Sequence, residues 1–279
     1  MRGAVRQAVT ASIPELAGRV YDVSPPGGAA DDPFAVISLG EDVWKSSWAG
    51  YRQVVRLKLH AGSLGLGQLD AWANRLIKEL HRKRVTGTDN EAFILHYLGV
   101  PDADILDSAT GKSGRMLRFG IYMPEASGTG PPMQPDEWLH VLTAWTSELL
   151  GNPWRIYHSA WPADREEYAV LWRMAGCETK TSGASMVEVR KSFIGHIASP
   201  ALESGQLTAV ALVEELGAKV QLLLDPEDRR YLSVAEASAN LQADPILDGQ
   251  VKLTLMQRRL RPAEEAALIR RVNVHPILK

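Results

Sequence analysis

Val55-Arg56-Leu57-Lys58-Leu59-His60 alternates between apolar and charged or polar residues, inside a longer extended stretch from Tyr51 to Leu59. A period of two marks a strand with one face buried and the other wet. The chain therefore contains an open, mainly antiparallel sheet, and something apolar must cover its dry face. The cover follows directly: Leu69, Trp72, Ala73, Leu76, Ile77 and Leu80 form the unbroken stripe of an amphipathic helix. A partner strand, Phe34 to Leu39, precedes the alternating one. Before that, Val5, Ala8, Val9 and Leu16 trace a first helix, interrupted near its end by Pro14 and stopped at Gly18. Arg19-Val20-Tyr21 is a short extended piece. After the second helix two strands close the series, the last through Leu117, Phe119 and Ile121.

The same order is written again downstream. Glu15-Leu16-Ala17-Gly18 returns 133 residues later as Glu148-Leu149-Leu150-Gly151. Phe34-Ala35-Val36 is echoed by Tyr168-Ala169-Val170, Val55-Arg56 by Val189-Arg190, and Tyr97-Leu98-Gly99-Val100 by Tyr231-Leu232-Ser233-Val234, each 134 residues on. Ile105-Leu106-Asp107 recurs as Ile246-Leu247-Asp248. Five matches in one order at nearly constant spacing point to an internal repeat. The second copy opens with a helix through Trp138, Val141, Leu142, Trp145 and Leu149, capped by Asp136. Trp154 to Tyr157, Tyr168 to Met174 and Met186 to Ile194 are its strands, and Leu207 to Leu216 is its second helix. The frame of that helix is ambiguous. Matching Gln68-Leu69 to Gln206-Leu207 sets Glu214 opposite Leu76, whereas a slide of two residues restores the apolar face. Its final strand runs through Val251, Leu253 and Leu255.

The predicted fold class is α+β: two tandem copies of an α-β-β-β-α-β-β unit, each a small mainly antiparallel sheet packed on helices. The predicted boundaries are 1–125 for the first unit, 126–133 for a Gly/Pro linker, 134–261 for a second, diverged unit, and 262–279 for a C-terminal helix and tail. At 279 residues and 45% apolar composition the chain is long enough for two cores. No apolar run reaches the ~20 residues of a membrane-spanning helix. The amphipathic start after Met1-Arg2 does not resemble a secretory signal. A single cysteine, Cys177, excludes an internal disulfide and a cysteine-based zinc site, so folding in a cytoplasm is expected.

Charge narrows the function classes further. The net charge is −2, and residues 1–128 hold 15 basic and 14 acidic residues. A protein dedicated to nucleic acid carries a large basic excess; here only a local basic patch is compatible. No catalytic constellation appears. The seven histidines (His60, His81, His96, His140, His158, His196 and His275) are scattered, and no pair has zincin spacing. Gly62-Ser63-Leu64-Gly65-Leu66-Gly67 lacks the P-loop Lys-Ser/Thr and reads as a turn into a helix. Ser182 and Ser185 read as a hairpin turn, and Cys177 as a small residue near a strand end. No catalytic, cofactor-binding or metal-binding residue is assigned.

Two groups of residues invite an interaction reading. Trp44 and Trp48 lie in the connection between two strands, where a solvated loop is normally polar, and aromatics dominate interface energetics. They form an interface or fold back over their own sheet. Val272, Val274, Ile277 and Leu278 are apolar for a chain end, which suits an arm reaching a neighbour. Arg82, Lys83 and Arg84 end the best helix. They either complement its C-terminal dipole or contact DNA or an acidic partner, and Arg258, Arg259 and Arg261 invite the same pair of readings.

Ile13-Pro14-Glu15-Leu16-Ala17-Gly18-Arg19-Val20-Tyr21 leads through Pro25-Pro26 to Pro33-Phe34-Ala35-Val36-Ile37, then to the alternating strand and its helix. Over residues 1–123 this order resembles the tail-terminator, or tail-completion, proteins of long-tailed bacteriophages. The second copy departs from the pattern, with Glu167 where the first has Pro33 and extra residues around 176–185. The resemblance implies a structural protein with no cofactor. It forms a ring on the head-proximal end of the tail tube, stops polymerisation and meets the head-side neck protein. It implies assembly in the host cytoplasm, location in the virion, and DNA passing the lumen without sequence recognition. Six chains are favoured, and three chains as a pseudo-hexamer are the alternative. Other readings stay open: another neck, head-completion or tail-like injection component, or a duplicated α+β module that binds a small ligand or is an enzyme.

Overall fold

The computed structural model describes residues 1–22, 32–87, 91–107, 112–124, 136–183 and 185–261. The expected linker 126–133 and the tail 262–279, with Val272, Val274 and Ile277, lie outside them. The described chain is mixed α and β, with two six-stranded sheets, each covered by helices on one face.

In the first half, helix α1 (Arg2–Ser12) buries Ala4, Val5 and Val9. It ends where Ile13 becomes extended before Pro14, because proline disfavours the helical conformation at the residue it follows. Strands β1 (Val20–Asp22), β2 (Phe34–Ser46) and β3 (Gly50–Gly62) come next, then α2 (Leu66–Leu80). The expected alternation holds: Val55, Leu57 and Leu59 are buried beneath Leu69, Trp72, Ala73, Leu76 and Leu80. After α2 the half has five strands rather than the expected two: β4 (Arg84–Thr86), β5 (Ala92–Ile94), β6 (His96–Gly99), β7 (Ile105–Asp107) and β8 (Lys112–Met123). Four are only three or four residues long, too short to show a period. The sheet order is β1-β2-β3-β8-β6, with β7 also on β8; only β1 and β2 are parallel.

In the second half Asp136 accepts a hydrogen bond from the Trp138 amide at 3.0 Å, capping α3 (Glu137–Leu150) as its sequence predicts. Strands β9 (Arg155–His158), β10 (Ala169–Thr181) and β11 (Met186–Ala198) precede α4 (Leu202–Lys219), followed by β12 (Gln221–Asp225), β13 (Arg230–Ala239) and β14 (Val251–Leu260). The order is β9-β10-β11-β14-β13-β12, and again only the first pair is parallel. The slid frame of the fourth helix is the one adopted: Gly205, Ala209, Leu212 and Leu216 are buried and Leu207 faces water. The Trp172 ring packs against Gly195, its partner across β10–β11, where a Cβ would stand 2.8 Å from ring carbons.

Two further expectations change. Ile246-Leu247-Asp248 is a turn, whereas Ile105-Leu106-Asp107 is a strand, so that sequence match has no structural counterpart. Strands β2 and β10 also run past their predicted ends. Bulges at Leu39/Asp42 and Trp44/Ser46 carry β2 through residues that read as a loop, which places Trp44 on a strand.

Candidate functional site: the seam between the halves

Each half has its own core, and a third apolar cluster joins them. It begins at the β2–β3 turn. There Ser46 Oγ accepts from the Ala49 amide at 3.1 Å, and Gly50 turns the chain with φ +68. The turn presents Trp48 and Ala49 to the second half. Trp48 Nε1 donates to the carbonyls of Ile246 and Leu247 at 3.2 and 3.1 Å, and the Trp48 carbonyl accepts from the Trp161 amide at 2.8 Å. Those two carbonyls are set by Asp244, whose Oδ1 accepts from both the Ile246 and Leu247 amides at 2.8 Å. On the ring face of Trp48 the Arg173 guanidinium stands 3.7 Å from the centroid. Ala169, Leu171, Ala198 and Ile246 complete the buried patch, flanked by Tyr122 and Tyr157.

Beside this patch lies a buried polar group that the sequence does not reveal. Arg165 is 6% exposed, and among the described residues no carboxylate lies within ion-pair distance of it. Its Nη2 donates to His96 Nε2 at 3.0 Å, its Nη1 donates weakly to the Glu166 carbonyl, and its charge sits 5.1 Å from the Trp161 ring centre. Burial lowers its pKa to about 10. The same burial, with Arg165 alongside, holds His96 well below the usual imidazole range. His81 Nδ1 accepts from the Tyr97 amide at 2.9 Å, so it too serves as a neutral acceptor. A cavity of about 10 Å³, lined in part by Arg82, His96, Arg165, Glu167 and Gln250, has room for about one water.

His196 is built on the same logic. Its Nε2 accepts from Arg173 Nε at 3.0 Å, so its proton sits on Nδ1, which faces the Pro245 carbonyl at 3.2 Å. Burial first, and Arg173 second, push its pKa down to about 4. The sign of the pH dependence follows. Between the unfolded pKa near 6.5 and the folded value, the unfolded chain binds the extra proton, so stability rises with pH through that window and is lost as pH falls towards 4. The shift corresponds to ~3 kcal/mol from His196 alone. Denaturant unfolding at pH 7.5 and 4.5 is expected to show the loss, and His196→Gln to flatten the slope. An unchanged slope in that variant would remove His196 as its source.

The sequence-predicted residues distribute as follows. Trp48 makes its interface inside the chain, between the two halves. Trp44 stays exposed, edge-on to Tyr51, in a row Trp44–Tyr51–Met123 that lies in register across β2, β3 and β8. Arg82, Lys83 and Arg84 have different surroundings. Arg82 takes a left-handed backbone beside the cavity, and Lys83 pairs with Glu79 at 3.3 Å. Arg84 is held by the second half through its amide to Glu167 at 2.7 Å and its guanidinium to Glu166 at 3.3 Å. Arg258 pairs with Glu188, and Arg261 donates to Thr181. Arg258 and Arg259, with Arg229 and Arg230, line an open groove of about 680 Å³ on β13–β14. Among the described residues no group of three or more His, Cys, Asp or Glu can hold a metal, and no helix is long and apolar enough to cross a membrane. In the seam Arg165 and Arg173 each donate to a histidine, His96 and His196, and His81 accepts from a backbone amide.

No family model matches the chain, and no curated protein matches it. Among solved structures, a chain from the virion of a native gene transfer agent particle is similar to 43% of this chain and 95% of its own length, at 18% identity and a TM-score of 0.33.

Proposed function

We propose that the chain is a structural virion protein, a tail terminator built as a tandem duplication. It forms a ring on the head-proximal end of a tail tube, stops tube growth and joins the tail to the neck. The observation that carries this reading is the order α1, β1, β2, β3, α2, with β1 parallel to β2 and the charged strand β3 inside the sheet. It is the order implied by the tail-terminator resemblance of residues 1–123. The duplication is supported by the two sheet orders and by the helices: Leu69, Ala73, Leu76 and Leu80 of α2 fall opposite Gly205, Ala209, Leu212 and Leu216 of α4.

Surfaces suited to assembly are present in both halves. The row Trp44, Tyr51 and Met123 exposes apolar area at the β2–β3 turn end of the first sheet, beside the seam. Strand β10 from Met174 to Thr181 extends past the residues that β9 pairs, leaving a strand edge open to a neighbour. The reading places the protein in the tail or neck of a particle assembled in a host cytoplasm. Its partners are copies of itself, the tube protein and the neck protein. Six chains per ring keep one chain per tube subunit; three chains would give a pseudo-hexamer.

Light scattering and negative-stain images of the purified protein test this. Rings of six or three chains, or a monomer that forms rings only on tail tubes, are expected. A stable dimer that ignores tubes and gains thermal stability with a small ligand would overturn the reading.

A further inference from the structure

We propose that the face of the first sheet opposite its helices is, away from the seam, a phosphate-binding surface for duplex DNA. The period-two pattern of β3 that buries Val55, Leu57 and Leu59 sends Arg52, Arg56 and Lys58 to the opposite face. Strand β8 adds Arg118, which is the direct cross-strand partner of Arg56. Like charges directly opposite each other in an antiparallel pair are destabilising, so the fold itself gains nothing from this pair.

The arginine three residues earlier on β8 behaves differently. Arg115 points to the helix side, where Asp104 and Asp70 both pair with it. On the face opposite the helices, none of Arg52, Arg56, Lys58 and Arg118 has an ion-pair partner among the described residues. The Nε atoms of Arg52 and Arg118 are buried without a hydrogen-bond acceptor. The stripe starts at the seam, where Arg52 stands opposite Tyr122, and runs away from it through Arg56 to Lys58.

The form of this surface selects the ligand. Arg56 and Lys58, alternate residues on one strand, are ~6.8 Å apart, a length over which B-DNA presents about two charges per strand, one for each ~3.4 Å of helix axis. Guanidinium forks fit phosphate oxygens in pairs. The chain's net charge is −2, so these four cations form a local basic patch and not part of a general basic excess, as suits contact without sequence recognition. The assignment deepens the terminator reading, in which DNA crosses the ring, and is tested separately from it.

The test is anisotropy of a labelled duplex titrated with the full chain over a salt series. It compares wild type with the double variant Arg56→Gln/Arg118→Gln, and with Lys78→Gln on α2, behind the sheet. Wild type and Lys78→Gln are expected to bind alike. The double variant is expected to lose about tenfold or more in affinity at low salt, with a salt slope smaller by about 1.8, two phosphates at ~0.9 each. Its melting temperature should be no lower than wild type, which separates loss of a ligand contact from loss of fold. If the double variant is unfolded, Lys58→Gln alone is expected to reduce the slope by about 0.9. No binding by wild type at low salt, an unchanged slope in the folded variants, or equal loss in Lys78→Gln would overturn the assignment. Displacement of the duplex by polyglutamate at equal charge concentration would also overturn it, giving the face to an acidic protein surface. Ring mass is read on the same samples. Rings that ignore DNA sink only this assignment, and DNA binding by a chain that forms no ring even when tail tubes are added sinks only the terminator reading.

Discussion

Replacing Trp48 with alanine is expected to uncouple the two halves while leaving each of their cores intact. The side chain is the largest contributed by the first half to the shared cluster, and it is held from three directions. Its indole N–H reaches the Ile246 and Leu247 carbonyls, its ring face meets Arg173, and its own carbonyl binds the Trp161 amide. Truncation removes the first two contacts and leaves Arg173 part-buried without the ring beneath it. For a partly exposed tryptophan a cost of ~2–4 kcal/mol is reasonable, below the ~3–5 of a fully buried one. The expected readout is specific: hydrogen-exchange protection falls at Trp161 and the 244–248 turn, while amides over Val55–Leu59 and Val251–Leu255 keep theirs. Denaturant unfolding should separate into two steps, since each half retains its own buried cluster. Uniform loss of protection across both sheets would mean that the seam is not an independent joint, and no loss would mean that Trp48 does not hold it.

How much of this is legible in the sequence depends on where burial imposes a period. Strand β3 and helix α2 are readable because each has one face wholly in the core, so Val55, Leu57 and Leu59 and the Leu69–Leu80 stripe repeat at the period of their element. The outer part of β10 is exposed on both faces from Met174 to Thr181, and nothing then forces alternation. The end of β2 is hidden for a related reason, because its bulges put Gly40-Glu41-Asp42 inside a strand. The seam is illegible for a different cause. His96 and Arg165 are 69 residues apart, and Trp48 and Ile246 are 198 apart, so no local pattern links them. One signal does exist: a loop that contains tryptophan where a polar residue is normal. It singles out Trp48, which in the fold meets the second half of the same chain. The isolated Trp161, in a segment rich in Pro, Asp and Glu, carries the same signal and is its partner.

Gly50→Ala is expected to be among the most damaging single substitutions in the first half, and its cause can be isolated. Gly50 follows Ala49 in the turn that delivers Trp48, with φ +68, and a Cβ there would stand 1.9 Å from the Met123 carbonyl oxygen and 2.8 Å from Pro124 Cα. Both obstacles are backbone, so no side chain can swing aside; β8 must separate from β3 at its end, or the turn must change shape. The left-handed conformation alone costs ~1–2 kcal/mol for an alanine, and overpacking adds ~1–3 kcal/mol or more. Gly65 provides the control. Its φ is also positive, +82, with ψ 177 in a region that is essentially glycine-only, yet a Cβ there meets nothing within 4 Å, so Gly65→Ala should show a conformational cost of ~1–3 kcal/mol with no clash added. Thermal unfolding is expected to rank Gly50→Ala well below Gly65→Ala. Because the turn sets the position of Trp48, Gly50→Ala should also weaken exchange protection of the Trp161 amide, which Gly65→Ala leaves unchanged. Equal melting temperatures for the two variants would show that the Met123 backbone gives way freely, and that the turn does not fix the seam.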